Sequence, residues 1–208
     1  MTINVKKLNK FGEYIKSNIP DQIKVTTEIV TDGLVLNVQP DDLIRVLFFL
    51  RDNTSCTFKQ LVDVFGVDYP EREKRFEVVY NLLSLNHNQR IRVKTNVSEG
   101  EEIPSATVVF KSAGWLEREV FDMYGVRFIY HPDLRRILTD YGFEGHPQRK
   151  DFPLTGYKEV RYDEKKKQVI YEDVKLDQEF RNFDFASPWD GTEYVNSVDD
   201  NKKASAEE

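Results

Sequence analysis

Apolar side chains recur at three- and four-residue steps through Val5, Leu8, Phe11, Ile15 and Ile19, the period of an amphipathic helix that Pro20 stops. Past it the period drops to two. In "QIKVTTEIVTDGLVLNV" the Asp32-Gly33 pair suits a two-residue type I′ turn. Pairing about that turn sets Thr31 opposite Leu34, Ile29 opposite Leu36 and Thr27 opposite Val38, with the apolar side chains of both strands on one face. "PDDLIRVLFFLRDN" predicts a second helix: Pro40 stands in its first turn, Asp41 and Asp42 complement its dipole, and Leu43, Leu47 and Leu50 share a face. "FKQLVDVFGVDY", from Phe58 to Tyr69, reads as a short helix leading into a strand, with a strand alone as the alternative. "RFEVVYNLLS" and "RIRVKTNV" are strands joined by the polar loop "LNHNQ", in which His87 is a solvated turn residue. A third helical pattern begins near "PSATVVFKSAGWLEREVFDMYG". Ser105 can cap it, Trp115, Leu116, Val120 and Met123 fall on one side, and Gly125 ends it. Helices flanking mostly antiparallel strands make residues 1–125 an α+β domain.

Beyond residue 125 the periodicity fails. Gly142, Gly145, Pro147, Pro153 and Gly156 interrupt the chain too often for long regular elements. His131-Pro132 reads as a turn entering a short helix, "PDLRRIL", and His146-Pro147 as a loop corner. Only "EVRYDEKKKQVIYED" alternates, like a hairpin with a charged loop. Aromatic residues nevertheless continue, among them Tyr141, Phe143, Phe152, Tyr157, Phe180, Phe183, Phe185 and Trp189, which argues against disorder. Residues 126–195 are therefore expected to form an extended arm whose aromatic and charged groups are satisfied by another protein. Residues 196–208 have the composition of a loose tail.

Charge and cysteine content narrow the function. The chain has 30 Lys and Arg against 36 Asp and Glu, a net −6, which argues against non-specific attraction to nucleic acid or an anionic lipid surface. Its one cysteine, Cys56, excludes an internal disulfide and cannot supply the thiolate set of an iron–sulfur cluster or zinc site, so it is read as a small buried hydrophobe in a reducing compartment. The longest apolar run, "VLFFL" from Val46 to Leu50, is far too short to cross a bilayer. The first residues, "MTINVKKLNKFGEYIK", lack the character of a secretory signal or transit peptide, so a soluble or peripheral protein is expected; inside an organelle it would be made there or already processed.

Candidate chemistry concentrates after residue 116. His131 and His146, with Asp133, Asp140, Glu144 and Asp151, are candidates for a metal site or an acid–base pair, although no His-x-x-x-His or Glu-x-x-His spacing sets them on one helical face. In "EREVFD", Glu117, Arg118, Glu119 and Asp122 suggest either carboxylate chemistry or, as the preferred reading, an ion-paired helix surface in which Arg118 and Asp122 meet at an i,i+4 step and reach another subunit. Arg135, Arg136, Arg149, Lys150, Arg161 and Arg181 suit ion pairs within a protein interface better than phosphate binding, because acids are interspersed among them. No nucleotide-binding glycine loop, nucleophile elbow or Cys-x-x-Cys is present.

From Ala113 to Asp190, "EREVFDMYGVRFIYHPDLRRILTDYGFEGHPQRKDFPLTGYKEVRYD" and then "VIYEDVKLDQEFRNFDFASPWD" resemble the 30-kDa subunit family of respiratory complex I, the proton-pumping NADH:ubiquinone oxidoreductase. The signature is Glu117-Arg118-Glu119, Asp122, His131 and Arg135. The full "HPDLRRILTDYGFEGHP" resembles the mitochondrial and alphaproteobacterial type. That resemblance implies a peripheral-arm scaffold subunit with no catalytic, cofactor-binding or metal-binding residue of its own. It would be clamped to the 49-kDa subunit, with the subunit of the terminal cluster and other peripheral-arm subunits nearby, while NADH, FMN, iron–sulfur clusters and ubiquinone belong to those partners. The implied interface adds Arg136, Asp140, His146, Arg149, Asp151, Arg161, Arg181, Phe183 and Trp189 to the signature residues. The implied location is the matrix face of the mitochondrial inner membrane, or the cytoplasmic face of a bacterial one, with no membrane span and no nucleic acid. Two other readings stay open: a stand-alone acid–base or metal enzyme using His131 and His146, and the equivalent subunit of a related hydrogenase or plastid-type dehydrogenase.

Overall fold

A computed structural model of the chain describes residues 5–20, 22–30, 33–176 and 178. The first apolar stripe becomes α1 (Val5–Asn18), whose Ile15 is fully buried and whose Leu8 and Phe11 pack against the core. The strands β1 (Val25–Val30) and β2 (Gly33–Val38) pair antiparallel, with Ile29 opposite Leu34, Thr27 opposite Leu36 and Val30 opposite Gly33. This register is two residues from the expected one. A shift of two keeps every side chain on its own face, so the apolar pattern cannot distinguish the two pairings. Thr31 and Asp32, part of the expected turn, lie outside the described residues. A 3₁₀ turn at Pro40–Asp42 leads into α2 (Leu43–Asp52), and Leu43, Leu47 and Leu50 are buried as expected.

Residues 60–68 are strand throughout, β3 (Gln60–Asp68), and the short helix expected in this stretch is absent. The helical look of the stretch traces to a shift in pairing with β4 (Phe76–Ser84) between Leu61 and Asp63. That irregularity leaves Leu61 and Val64 both buried at a three-residue spacing, which mimics a helical step. β5 (Gln89–Val97) completes a five-stranded sheet in the order β1-β2-β5-β4-β3, antiparallel except between β2 and β5. One row across it, Leu36, Val93, Tyr80 and Val64, lies in the core, and half-buried Thr27 continues the row on the edge strand next to Gly12 of α1. The α+β class and the mostly antiparallel sheet agree with the sequence reading.

The third helical section splits into two pieces. Ser105 caps only a 3₁₀ turn at Ala106–Val108, and the helix proper, α3, spans Ala113–Tyr124. Trp115 does not share the buried side of Val120 and Met123; it is 69% exposed. The buried side instead carries Glu117 and Asp122, both fully buried, which a hydrophobicity pattern assigns to water. Around α3, β6 (Glu102–Pro104) pairs in parallel with β7 (Arg127–Ile129). Gly66 lets α3 approach β3, because a Cβ there would meet the Tyr124 ring at 2.7 Å.

"PDLRRIL" forms a turn at Pro132-Asp133 and no helix. Contacts divide the chain into Met1–Gly156 and Tyr157–Glu208, so residues 126–156 group with the sheet and helices, whereas composition puts the boundary after residue 125. The second unit holds a hairpin of β8 (Lys158–Asp163) and β9 (Gln168–Asp173), paired from Lys158 opposite Asp173 to Asp163 opposite Gln168. Arg181, Phe183, Trp189, the aromatic residues Phe180 and Phe185, and the expected loose tail lie outside the described residues. Among the described residues no helix is long and apolar enough to cross a membrane.

Candidate functional site

Asp122 explains why residues 126–156 fold back. Its Oδ2 accepts the backbone N–H of Ile137, Leu138 and Thr139 at 3.0, 2.7 and 2.9 Å, and its Oδ1 accepts the Thr139 hydroxyl at 2.7 Å and Arg136 Nη1 at 3.1 Å. Three consecutive amides bound to one carboxylate cannot also make the i−4 bonds of a helix, which accounts for the missing turn of "PDLRRIL". Burial alone would raise the Asp122 carboxyl, but the Thr139 hydroxyl and the backbone donors outweigh it and hold the group at about 2. Arg118 does not pair with Asp122. It donates from Nε and Nη2 to the carbonyls of Arg135 and Arg136 at 2.9 and 3.0 Å, so the two neighbours in "EREVFD" grip the same loop independently.

Glu117 faces the other way, into the interior. Its carboxylate accepts the Ser105 hydroxyl at 2.6 Å and the Ala106 N–H at 2.7 Å, and burial pushes its carboxyl up to about 7 against those two hydrogen bonds. His131 lies 4.0 Å from it. The His131 ring donates from Nε2 to the Gly114 carbonyl at 2.9 Å and accepts the Asp133 N–H at Nδ1 at 3.0 Å, which fixes the tautomer.

The far end of α3 is closed by the second histidine. His146 Nδ1 donates to the Asp122 carbonyl at 2.9 Å, the Gln148 N–H to Met123 at 3.2 Å, and Arg149 Nε to Tyr124 at 2.7 Å. Three carbonyls that a helix end leaves without partners are thereby satisfied. Gly125 makes room: its φ is +80°, and a Cβ there would meet His146 Nε2 at 2.5 Å and Arg149 Nη2 at 2.6 Å. Burial, then the nearby charges of Arg149 and Arg136, outweigh the Asp122 carbonyl and lower the His146 ring below its usual range. Arg149 also pairs with Glu99 and lies over the Phe76 ring. Next to it, Arg75 forks onto Asp68 at 2.6 and 2.8 Å and onto Asp151 at 2.8 and 3.2 Å, and Asp68 accepts the Lys150 N–H at 2.8 Å.

The two histidines are thus not brought together. They attach to Gly114 and Asp122, which about 12 Å of helix separates. No group of three or more metal-ligating side chains forms among the described residues. Of the sequence-derived candidates, Glu117, Arg118, Asp122, His131, Arg136, His146, Arg149 and Asp151 converge on α3 and its loop. Glu119 points to solvent, Arg135 pairs with Asp133 at 2.9 Å on the surface, and Asp140 accepts the Tyr141 N–H at 2.8 Å. Arg161 pairs with Glu172 across the hairpin at 2.7 Å. Asp68, Arg75, Glu99 and Thr139 are not legible as participants from the sequence, since each lies in a stretch that reads as ordinary strand, turn or loop.

The hairpin has a different character. Register puts Val160 opposite Tyr171 and Tyr162 opposite Val169 on one face, and each of the four is more than half exposed.

The family model for the respiratory-chain NADH dehydrogenase, 30 Kd subunit, matches residues 36–158. An NADH-quinone oxidoreductase subunit of Rhodospirillum rubrum is 59% identical over 187 residues, 90% of this chain and 87% of that protein. The like-named subunit of Paramagnetospirillum magneticum is 60% identical over 185 residues, covering 88% and 92%, and that of Agrobacterium fabrum 55% over 196 residues, covering 94% and 98%. Among solved structures, a chain of the membrane-bound sulfane sulfur reductase, an archaeal respiratory membrane complex, superposes with a TM-score of 0.61 at 23% identity, over 71% of this chain and 86% of that one. That likeness is one of fold.

Proposed function

The chain belongs to the 30-kDa subunit family of the respiratory-chain NADH dehydrogenase, and from that premise we propose how it serves the complex. It is a subunit of NADH-quinone oxidoreductase, complex I, with other subunits of that complex as its partners. Within it the chain acts as a scaffold that carries no redox centre and catalyses nothing alone. It ties the 49-kDa subunit to the subunit of the terminal cluster, and those partners hold NADH, FMN, the iron–sulfur clusters and ubiquinone. It sits peripherally, on the face of the membrane toward the bacterial cytoplasm or the mitochondrial matrix.

The observation that carries this reading is the hairpin. A two-stranded hairpin is marginal in water by itself, and this one presents Val160, Tyr162, Val169 and Tyr171 on one face, each more than half exposed. Such a face fits a partner's surface. The supply of ligands agrees: Cys56 is buried and burial pushes its thiol up to about 11, far from the thiolate that clusters require. A stand-alone enzyme using His131 and His146 is not favoured, because the two rings sit at opposite ends of α3 and are engaged by backbone groups.

The test replaces Val160 and Val169 by Lys in the chain expressed with the rest of its complex. We expect this variant to be lost from the purified complex, and NADH:quinone activity with it. A complex of unchanged composition and activity would overturn the proposed role of the hairpin.

A further inference from the structure

Beside Arg118 an open groove runs between the 3₁₀ turn, the start of α3 and the turn after β7, lined by Val108, Lys111, Trp115, Arg118, Tyr130 and Arg135. We infer that this groove receives an acidic segment of a partner subunit: a carboxylate between Lys111, Arg118 and Arg135, with a neighbouring apolar side chain against Trp115 and Tyr130. This goes beyond the hairpin and rests on the reading of the chain as a complex subunit.

Charge is the first argument. Three cations face the groove against one acid, Asp133, in a chain whose net charge is −6. Asp133 is already engaged at 2.9 Å by Arg135, and its carboxyl is held low mainly by that bond, with Arg118 and His131 acting from farther away. Arg118 is nearly buried, yet its guanidinium donates only to carbonyls, and among the described residues no carboxylate forms an ion pair with it. Carbonyl oxygens satisfy hydrogen bonds without cancelling a full charge, so an incoming carboxylate finds a cation already positioned and largely desolvated. The adjacent Glu117 does not supply it, being committed to Ser105 and Ala106.

The apolar lining is the second. Trp115, Tyr130 and Val108 are 69, 89 and 58% exposed, an unusual concentration of large side chains in one groove. Tyr130 is held at φ +63°, a left-handed conformation that bulky residues rarely adopt, and strain of this kind gathers where a side chain is displayed for use. Arg118 lies over the Trp115 ring at 5.3 Å, so cation and aromatic surface form one continuous patch. Nucleic acid fits poorly, because three cations on an acidic chain offer little to a phosphate backbone.

Photo-crosslinking tests this directly, with Tyr130 replaced by p-benzoylphenylalanine in the full chain within the assembled complex. We expect an adduct to a peptide of a different subunit that carries Asp or Glu beside an apolar residue. An adduct to a second copy of this chain, to a peptide without acids, or none at all would overturn the inference. A Lys111→Glu/Arg135→Glu variant alters two exposed side chains and leaves the fold in place; its retention in the complex should fall about tenfold, the scale of one interfacial charge contact. Undiminished retention also counts against the groove. Intact assembly without crosslink or retention loss sinks the groove alone, whereas a wild-type chain that co-purifies with no other subunit sinks the subunit reading.

Discussion

The loop from residue 126 to 156 and the hairpin from 158 to 173 invert the usual equation of regularity with self-sufficiency. The loop has almost no secondary structure, yet Asp122, Arg118, His146 and Arg149 satisfy its backbone and that of α3 from within the chain. The hairpin is fully paired along its ladder, yet its apolar face is left more than half exposed. Irregular backbone therefore needs hydrogen-bond partners, which one well-placed carboxylate can supply, while regular backbone still needs its side chains covered. A stretch that looks like an arm in composition contains two physically different parts. Only the second leaves an apolar face more than half exposed.

The sharpest way to break this comparison is Asp122→Ala. It removes the acceptor for three amides, the Thr139 hydroxyl and Arg136 at once, and should destabilise the chain by roughly 3–5 kcal/mol, with faster proteolysis between residues 131 and 152. Urea denaturation and limited digestion measure both.

A pH series sharpens it next. The Glu117 carboxyl, ordinarily near 4.5, is raised to about 7 in the folded chain by burial, with Ser105 and Ala106 opposing. Below pH 4.5 the group is protonated folded or unfolded. As pH climbs toward 7 the unfolded chain releases the proton first, so this group's contribution falls by up to about 3 kcal/mol across that window. Glu117→Gln should flatten the slope of stability between pH 5 and 7. Asp122 works in the opposite sense: its stabilisation is present above 3.8 and is lost as pH falls through about 2.

Gly125→Ala should cost about 2 kcal/mol, since it forces a left-handed residue and a Cβ against His146 and Arg149; thermal unfolding reads it. The smallest effect on stability belongs to the hairpin. Val160→Lys with Val169→Lys should leave the unfolding free energy of the isolated chain within about 0.5 kcal/mol of wild type, even though the same pair is expected to abolish retention in the complex.

Much of this fold is legible in the sequence, and the exceptions have identifiable causes. Regular periods mark α1, α2, β5 and the β8–β9 hairpin, because each buries or displays one face, while β4, buried on both faces, is legible from its run of β-branched and aromatic residues. β3 escapes such a reading because its pairing irregularity sets Leu61 and Val64 at a helical spacing. The latch around α3 is legible only as a set of residues. Glu117, Arg118 and Asp122 announce polarity, but nothing in a linear pattern states that Asp122 will collect amides fifteen to seventeen positions later, or that Arg118 will choose carbonyls over its i+4 acid. The glycine after α3 reads as a helix stop, and its second role beneath His146 and Arg149 depends on chain that returns more than twenty residues later.

Amide hydrogen exchange on the full chain, alone and within the purified complex, addresses the contrast most directly. We predict that Ile137, Leu138 and Thr139 are protected in both states, whereas Lys158 through Asp173 gain protection on assembly. Rapid exchange at Ile137–Thr139 in the isolated chain, or a hairpin whose exchange assembly leaves unchanged, would contradict the account.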